Sequence, residues 1–513
     1  MLGFRSAKGS GLEWLPTGIQ TGFSNFRFID ERFHSSPVLR RLFSLARKLG
    51  YESLVIEEID EPACPLFGEE SAALAIRDSR FQKSRVFRLL FLKCPPDSIL
   101  NPDDLLGYAV FKEDYFRSET DPRFHVYEAV MTPCRQASVN NFIHCARSYD
   151  VASALGSVST KGVLYAQQND LTFVCAHVAL RTALASVLPE GDISYARINQ
   201  LIGVDHAARK VGNGVGLSPD DMEAVAIGCA VPHKKIIHEP GIAGLAMPGD
   251  FQRDLYGFIE SGQPALLGFE FDGSPSRHII PVIGHTFNED TWVAESARSY
   301  FDGGLKYFPS ENWLSTYVVH DDNFGPYYCL PRHYLKKENF RIVLGLQRHD
   351  TVIQAVDAEA VALVYVNSIA NLLTTPDGGW LERFKAFADA DLLLLRTILI
   401  HRDEYLAHLS ACECWSGAET GVDAIEKAHV ILPEWFWMVE ASAPELFSAT
   451  RRKFGEVLLR ADLAVPKPMD FRMLLALRLP GQFLHIEGQT LQRIDTDTSA
   501  HVALFQFSSV CCD

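Results

Sequence analysis

The sequence predicts an α+β fold arranged in several domains, on the basis of three observations. The chain has 513 residues, of which 47% are hydrophobic and 22% charged, so it is a folded protein too long for a single core. Short runs rich in Val, Phe and Tyr, at 85–92, 105–111 and 125–131, are separated by Pro, Asp and Gly, which is typical of strands. Apolar residues repeat at helical spacing in other stretches, such as 37–49 and 358–373.

These patterns divide the chain into three consecutive segments. Strand-like runs dominate residues 1–154, which we expect to form an α+β or β-rich module of unknown function. Residues 155–335 begin with helical patterns and end with strands, as in a domain that packs helices against an antiparallel sheet. Residues 336–513 are expected to form an accessory domain that is mainly helical, with a helix over 380–410, and that ends in short strands.

Charge and cysteine content exclude several classes of function. The chain carries 64 acidic and 48 basic side chains, so its field repels nucleic acid and anionic lipid, and we expect neither as a partner. The sequence has neither an apolar stretch long enough to span a bilayer nor the N-terminal pattern of a signal peptide. Eleven cysteines, an odd number without zinc-ligand spacing, predict free thiols in a cytoplasmic protein that needs no metal or cofactor. The oligomeric state stays open.

Cys175 opens the most regular helical pattern of the central segment. After it, apolar residues recur three and four positions apart, at Ala179, Leu180, Ala183, Leu184, Val187 and Leu188. The cysteine therefore falls in the first turn of a helix, where the helix dipole and unsatisfied backbone N–H groups favour the nucleophilic thiolate. The loop before it, residues 167–170, is rich in amides, and one of these side chains can donate a hydrogen bond to a developing oxyanion.

A second set of patterns lies about a hundred residues downstream and contains His278. Three strand-like runs follow one another there, at 261–269, 277–285 and 291–295. A hairpin centred near residue 287 places Glu295 opposite His278 across the ladder, where a carboxylate orients an imidazole base. His285 lies on the same strand and is the alternative base if the register slips.

An acidic run follows these strands at residues 320–326 and includes Asp321 and Asp322. Carboxylates in such a run can bind Ca²⁺. Asp, Asn, Gly and Pro clustered in this way are first of all a turn signal, so we expect a turn here and no metal.

The order of these motifs resembles that of the papain-like cysteine peptidases, most closely their bacterial double-glycine, or bacteriocin-processing, branch. The shared order is a Gln-containing loop before a helix-borne cysteine, a strand that opens with proline, a histidine followed by an apolar run to glycine, and an acid about 17 residues later. In this chain the motifs are carried by Gln168, Cys175, residues 263–267, His278 to Gly284, and Glu295. The similarity covers roughly a third of the chain.

The resemblance implies a role for each site residue. A nucleophile, a base, an orienting acid and an oxyanion donor are needed, and the residues in those positions are Cys175, His278, Glu295 and Gln168. The glutamine stands seven residues before the cysteine instead of the usual six, so Asn169 or Gln167 is an alternative oxyanion donor. Glu also stands where Asp or Asn is more common, and Ala176 follows the cysteine where Gly is usual.

The function that the resemblance implies is a cysteine-dependent amide hydrolase. Such a peptidase or isopeptidase acts through a thioester on a protein or peptide substrate. Deamidases and transglutaminase-like acyl transferases use the same groups with a different acceptor, so they stay open. A second class also stays open, a catalytically silent scaffold of the same fold that binds a protein partner. In that class Cys175 is an ordinary buried thiol and His278 a core histidine.

Overall fold

The structure is a computed structural model. It describes residues 5–6, 12–16, 31–33, 36–59, 65–95, 101–134, 141–169, 171–204, 216–237, 250–270, 277–287, 306–335, 340–370, 379–411, 419–463, 471–488, 490–496 and 502–507. The chain forms two compact units built from interleaved segments. The first unit comprises Met1–Ala243, Gln263–Gly284 and Tyr317–Arg348, and the second comprises Gly244–Gly262, His285–Thr316 and His349–Asp513.

Helices and strands are both abundant in the described residues. The α-helices are α1 Pro37–Lys48, α2 Pro65–Arg77, α3 Cys175–Val187, α4 Tyr195–Leu201, α5 Pro219–Gly228, α6 Asp250–Glu260, α7 Ala355–Ala370, α8 Gly379–Asp389, α9 Arg402–Ala411, α10 Glu419–Ile431 and α11 Pro444–Thr450. Short 3₁₀ turns lie at Pro102–Asp104, Ser310–Trp313, Arg332–Tyr334 and Phe471–Met473. Within the described ranges, every helix is too short or too polar to cross a membrane.

The strands are distributed over four sheets. They are β1 Arg5–Ser6, β2 Leu12–Pro16, β3 Ser53–Ile59, β4 Phe81–Leu92, β5 Leu105–Phe116, β6 Arg123–Met131, β7 Asn141–Phe142, β8 Arg147–Ser153, β9 Gly156–Tyr165, β10 His233–Ile237, β11 Ala265–Glu270, β12 Arg277–Phe287, β13 Phe308–Pro309, β14 Leu314–Asp321, β15 Gly325–Pro331, β16 Phe340–Leu346, β17 Leu394–His401, β18 Trp435–Ser442, β19 Arg452–Lys453, β20 Gly455–Arg460, β21 Leu474–Leu479, β22 Gln482–Glu487, β23 Thr490–Asp495 and β24 Val502–Ala503. The prediction of a mixed α+β protein is confirmed at this level.

The first sheet of the first unit has the strand order β1-β2-β3-β4-β5-β6-β9-β8. Its central strands β4, β5 and β6 include the three strand-like runs that the sequence predicts near the N-terminus. Antiparallel pairing of β6 with β9 aligns Ala129 with Tyr165, so the chain enters the loop before Cys175 directly from this sheet. The expected segment boundary between residues 154 and 155 falls in the tight turn that joins β8 to β9, where Ser153 pairs with Gly156.

The second sheet has the order β10-β16-β11-β12-β14-β15, with β7 beside β12. In it β11 pairs antiparallel with β12, and Phe269 faces His278 across the ladder. Helix α3 contacts β9 of the first sheet and both β11 and β16 of the second. Nearly every residue of α3 after Cys175 is buried, because the helix packs against both sheets. Cys175 is thereby held at the start of a rigid element.

In the second unit the sheet has the order β13-β17-β18-β20-β21-β22-β23. The prediction of one helix over 380–410 is wrong, because strand β17 lies between α8 and α9. The β17 residues Leu394 to Ile400 are all buried, and a strand covered on both faces lacks the alternation of apolar and polar residues. Such a run has no period that distinguishes it from a buried helix.

A row of charged side chains crosses the sheet of the second unit. Arg396, Glu440, Glu456 and Arg478 occupy successive positions in register on β17, β18, β20 and β21. Arg396 is hydrogen-bonded to Glu260 and, at 2.9 Å, to Glu440. All of these side chains are buried, so each charge depends on its partners for compensation.

Candidate functional site

Cys175 begins helix α3, and its side chain is half-buried. The preceding residue, Val174, is extended, and its side chain cannot cap the helix. The cap comes from His177, whose Nδ1 accepts the Val174 N–H at 3.4 Å while Nε2 contacts Asn199 Oδ1 at 3.1 Å. The thiol therefore lies in the first turn, as predicted, at the positive end of the helix dipole.

His278, near the start of β12, is the histidine that meets Cys175. Its ring is buried and packs edge-on against Phe269 with centroids 5.6 Å apart, and its interaction with the Cys175 side chain helps to raise its pKa. Helix α3 and the neighbouring strand thus join two residues that are more than a hundred positions apart in the sequence. A thiol that interacts with an imidazole is the minimum apparatus for thiol-based nucleophilic catalysis.

Two carboxylates lie close to Nε2 of the ring. His278 Nε2 is 3.4 Å from Asp321 Oδ2 and 3.4 Å from Asp322 Oδ1. Asp321 is fixed in turn, because its Oδ1 accepts the backbone N–H groups of Asn323 at 2.8 Å and Phe324 at 3.1 Å. The predicted turn after residue 320 is therefore present, and it also holds the acid of the site.

The electrostatics of the site favour a protonated imidazole. Burial alone would lower the pKa of His278, but hydrogen bonds to Asp321 and Cys175, with the charge of Asp322, raise it to about 10. Burial likewise opposes ionisation of Asp321, yet its bonds to His278 and to backbone N–H groups hold the pKa of this carboxyl below its usual value. At neutral pH the site therefore contains an imidazolium beside ionised aspartate.

Glu295, the acid expected from the sequence, and the strand expected over 291–295 lie outside the described residues. The sequence does not predict Asp321 and Asp322 as partners of His278, because their cluster has the composition of a turn and, as the alternative, of a Ca²⁺ site. Strand β12 lies between β11 and β14 in the sheet, so the acids come from the end of β14, over forty residues along the chain. A usable signal exists in the sequence, since the Asp pair directly follows an apolar strand pattern.

The three candidate oxyanion donors in the amide loop before Cys175 differ in their hydrogen-bond partners. Gln167 Oε1 accepts the Val126 N–H at 3.0 Å, so this side chain anchors the loop to β6. Asn169 is also engaged, because its Oδ1 accepts the N–H of Thr172 at 2.9 Å and those of two neighbouring residues. Gln168 is half-buried, and among the described residues no partner bonds to its side chain. Its amide is the one available to a ligand.

His285, the alternative base, has a different environment. It is fully buried in the second unit, and its Nε2 is hydrogen-bonded to Glu260. Glu260 also binds Arg396, so His285 is part of the buried charge network of that unit. The geometry therefore favours His278 as the partner of the thiol.

A small cavity of ≈ 10 Å³ adjoins Cys175 in the first unit, which is about the space of one water molecule. It is lined by Ala166, Cys175, Val178, Ala179, Thr182, Ile279, Pro281, His320 and Asp322. His320 Nδ1 bonds to the Leu164 carbonyl at 3.0 Å, and burial lowers the pKa of this histidine to about 3. Within the described residues, His320 Nε2 and Thr182 Oγ1 have no protein partner, which makes a bound water a good fit.

The same cluster has the donor set of a divalent metal site. His278, Asp321 and Asp322 place ligand atoms within 4.8 Å of one another, and all three residues are buried. One imidazole nitrogen with carboxylate oxygens suits zinc and related transition metals. A metal there would bind the imidazole nitrogen that faces the aspartates. The same residues are therefore compatible with a thiol–imidazole site or with a metal site.

Comparison with known proteins gives no family for the chain. No protein-family model matches it, and no curated protein matches it. Its function is therefore inferred from the geometry of the site.

Proposed function

We propose that the protein is a cysteine-dependent amide hydrolase in which Cys175 is the nucleophile and His278 the general base and acid. The observation that carries this proposal is the pairing of Cys175, at a helix N-terminus, with His278, whose imidazole interacts with the Cys175 side chain and lies beside two aspartates that favour its protonated form. A thiolate beside an imidazolium is the reactive pair of thiol hydrolases.

The first half of the reaction forms a thioester. The Cys175 thiolate attacks the amide carbonyl carbon, and the carbonyl oxygen becomes an oxyanion to which the Gln168 amide donates a hydrogen bond. The His278 imidazolium then gives its proton to the amide nitrogen as the C–N bond breaks and the amine leaves. In the second half a water loses its proton to His278 and attacks the thioester, and the C–S bond breaks to release the acid and the thiolate.

The role of orienting acid, which the resemblance gave to Glu295, is proposed here for Asp321. Its carboxylate is 3.4 Å from Nε2 of His278 and is itself fixed by backbone N–H groups. An acid placed in this way selects the ring orientation and stabilises the imidazolium without taking the proton. Asp322 adds a second negative charge on the same side of the ring.

The substrate is proposed to be a protein or peptide amide, and the compartment a reducing one. The cysteines that the structure describes, Cys94, Cys134, Cys145, Cys175, Cys229 and Cys329, are free thiols, which supports a reducing, cytoplasmic setting. Deamidation follows the same steps with ammonia as the leaving group, and transfer of the acyl group to an amine instead of water needs no other residue, so both activities belong to the same proposal.

The test is acylation by p-nitrophenyl acetate, a small activated ester that reports thioester formation through released p-nitrophenolate. We expect a burst equal to one acyl group per chain and an acetyl adduct at Cys175 in a peptide mass map. Cys175→Ala should remove the burst. Cys229→Ala is the matched control, because this thiol is also half-buried and lies in the same unit. A burst that survives in Cys175→Ala would exclude Cys175 from the reaction.

A metal site is the second candidate, favoured by the close approach of His278, Asp321 and Asp322. It predicts about one equivalent of a divalent transition metal in the purified protein and loss of activity on chelation. The thiol mechanism predicts that a chelator leaves the acylation burst unchanged. Metal analysis of the purified protein, with the burst measured before and after chelation, decides between the two.

A further inference from the structure

A cluster of four buried titratable side chains lies beneath the amide loop. Glu70 on α2 forms ion pairs with Lys112, at 2.8 Å, and with His125, at 3.0 Å. His125 also approaches Asp114 at 3.7 Å. All four side chains are buried, although they belong to the N-terminal segment for which the sequence indicated no function. A buried charge cluster of this kind is costly unless every member is compensated.

Glu70 stays ionised in this cluster. Burial alone would raise the pKa of its carboxyl, but the charges of Lys112 and His125 lower it. The Glu70 carboxylate is therefore a permanent acceptor at neutral pH. A carboxylate that accepts from a neutral donor forms a shorter and stronger hydrogen bond than a neutral acceptor does.

The Glu70 carboxylate accepts a hydrogen bond from the amide loop. Asn169 Nδ2 donates to Glu70 Oε1 at 2.6 Å and to Thr172 Oγ1 at 2.8 Å. On its other side, Asn169 Oδ1 accepts the backbone N–H groups of Leu171, Thr172 and Phe173 at 3.0, 2.9 and 3.4 Å. The loop therefore folds around the Asn169 side chain, and the hydrogen bond to Glu70 fixes the position of that side chain.

The loop end is also clamped by aromatic packing. Phe173 is buried, stacks on Tyr195 with centroids 3.9 Å apart, and meets the His125 ring edge-on at 6.1 Å. The same cluster therefore touches the loop at two points. One lies directly after Gln168, and the other lies two residues before Cys175.

We propose that Glu70 is a positioning residue for this site: through Asn169 it sets the loop that carries the Gln168 amide relative to the Cys175 thiol. This inference rests on the proposed function, and it makes the N-terminal segment part of the active apparatus instead of a separate module. An oxyanion donor stabilises the tetrahedral intermediate only when it lies at hydrogen-bond distance, and a displacement of about 1 Å costs about 10²-fold in rate.

The test compares two reactions of the same thiol. Acylation by p-nitrophenyl acetate passes through an oxyanion and needs the Gln168 amide, whereas alkylation by iodoacetamide displaces iodide at a saturated carbon and forms no oxyanion. We expect Glu70→Gln to slow acylation on the order of 10²-fold and to change alkylation of Cys175 by less than about twofold. Glu57→Gln is the matched control, a buried carboxylate on β3 of the sheet that carries Lys112 and His125, and it pairs with Arg88 at 2.6 Å. It should leave both rates unchanged.

A second variant covers the case in which Glu70→Gln does not fold. Asn169→Asp keeps an oxygen that accepts the three loop N–H groups. It replaces the Nδ2 donor by a second carboxylate oxygen, which repels the Glu70 carboxylate. The pair can regain a hydrogen bond by sharing one proton, with Lys112, His125 and Asp114 as the other charged groups around it. The acylation rate of this variant relative to the parent should be low near pH 7.5 and recover toward pH 5.5.

The outcomes are distinguishable. Unchanged acylation in a folded Glu70→Gln protein, or a pH-independent rate ratio in Asn169→Asp, would overturn the positioning role. Equal losses of acylation and alkylation would also overturn it, because they indicate general collapse of the site. A parent protein that neither acylates nor alkylates faster than an ordinary thiol would overturn the proposed function itself, and the positioning role with it.

Discussion

The Oδ2 atom of Asp321 lies 3.4 Å from Nε2 of His278, and the Oδ1 atom of the same carboxylate is tied to the backbone of the following turn. One carboxylate oxygen of Asp321 therefore faces the imidazole, and the other binds the backbone N–H groups that hold the carboxylate in place. This division lets one carboxylate orient the imidazole while it stays anchored to its own turn.

Asp321→Asn should cost on the order of 10²-fold in the rate of the acylation burst, because it removes the charge that stabilises the imidazolium. Glu295→Gln should be milder than both Asp321→Asn and His278→Ala, since Asp321 and Asp322 already place carboxylate oxygens 3.4 Å from Nε2 of His278. Burst kinetics of the three variants at one pH give the order directly. A larger loss in Glu295→Gln than in Asp321→Asn would return the role of orienting acid to Glu295 and leave Asp321 a turn residue.

Two adjacent glutamines provide a matched pair for the oxyanion donor. Gln168→Ala should lower the acylation rate by about 10²- to 10³-fold with little change in unfolding temperature, because its amide bonds to no described protein group. Gln167→Ala should leave the acylation rate nearly unchanged and lower the free energy of unfolding by about 1 kcal/mol, because the hydrogen bond to the Val126 N–H is lost. Acylation kinetics and thermal unfolding of both variants check this. Interchanged effects would assign the donor to Gln167.

Arg396→Met should strongly destabilise the second unit. The guanidinium bonds to the buried carboxylates of Glu260 and Glu440, and both would lose a counter-ion in the interior. We expect a loss of about 3–5 kcal/mol in the free energy of unfolding, measured by urea titration. Arg493→Met is the control, because Arg493 and Asp495 form an exposed pair that contributes under about 1 kcal/mol. Equal effects of the two substitutions would contradict a compensating role for Arg396.

The sequence predicted those parts of the site that local patterns determine. The helix with Cys175 in its first turn and the buried strand with His278 follow from periodicity within about a dozen residues. Many N-terminal strands and the helix over 37–49 also have clear local signals, and the structure places α1 and β4 to β6 there.

The acid and the support of the loop depend on strand order, which local patterns do not contain. In the sequence, the next strand-like run after β12 is the natural hairpin partner, whereas the sheet brings β14 and its terminal Asp321 beside β12. Glu70 reaches Asn169 across 99 residues, so its role was invisible in the sequence as well. Strand β17 was misread as helix for another reason, since a strand buried on both faces has no alternation to detect.

The most direct test of the thiolate–imidazolium pair is the rate of Cys175 labelling by iodoacetamide from about pH 4 to about pH 10, in the parent and in His278→Ala. Because the pKa of His278 is raised to about 10, the imidazolium persists through neutral pH and should keep Cys175 reactive well below pH 8. Deprotonation of the ring near pH 10 should then set the alkaline limit of hydrolysis. In His278→Ala, labelling should rise only near pH 8.5, about the value of an ordinary cysteine thiol. Identical profiles in the two proteins would mean that no ion pair exists and would contradict the proposed mechanism.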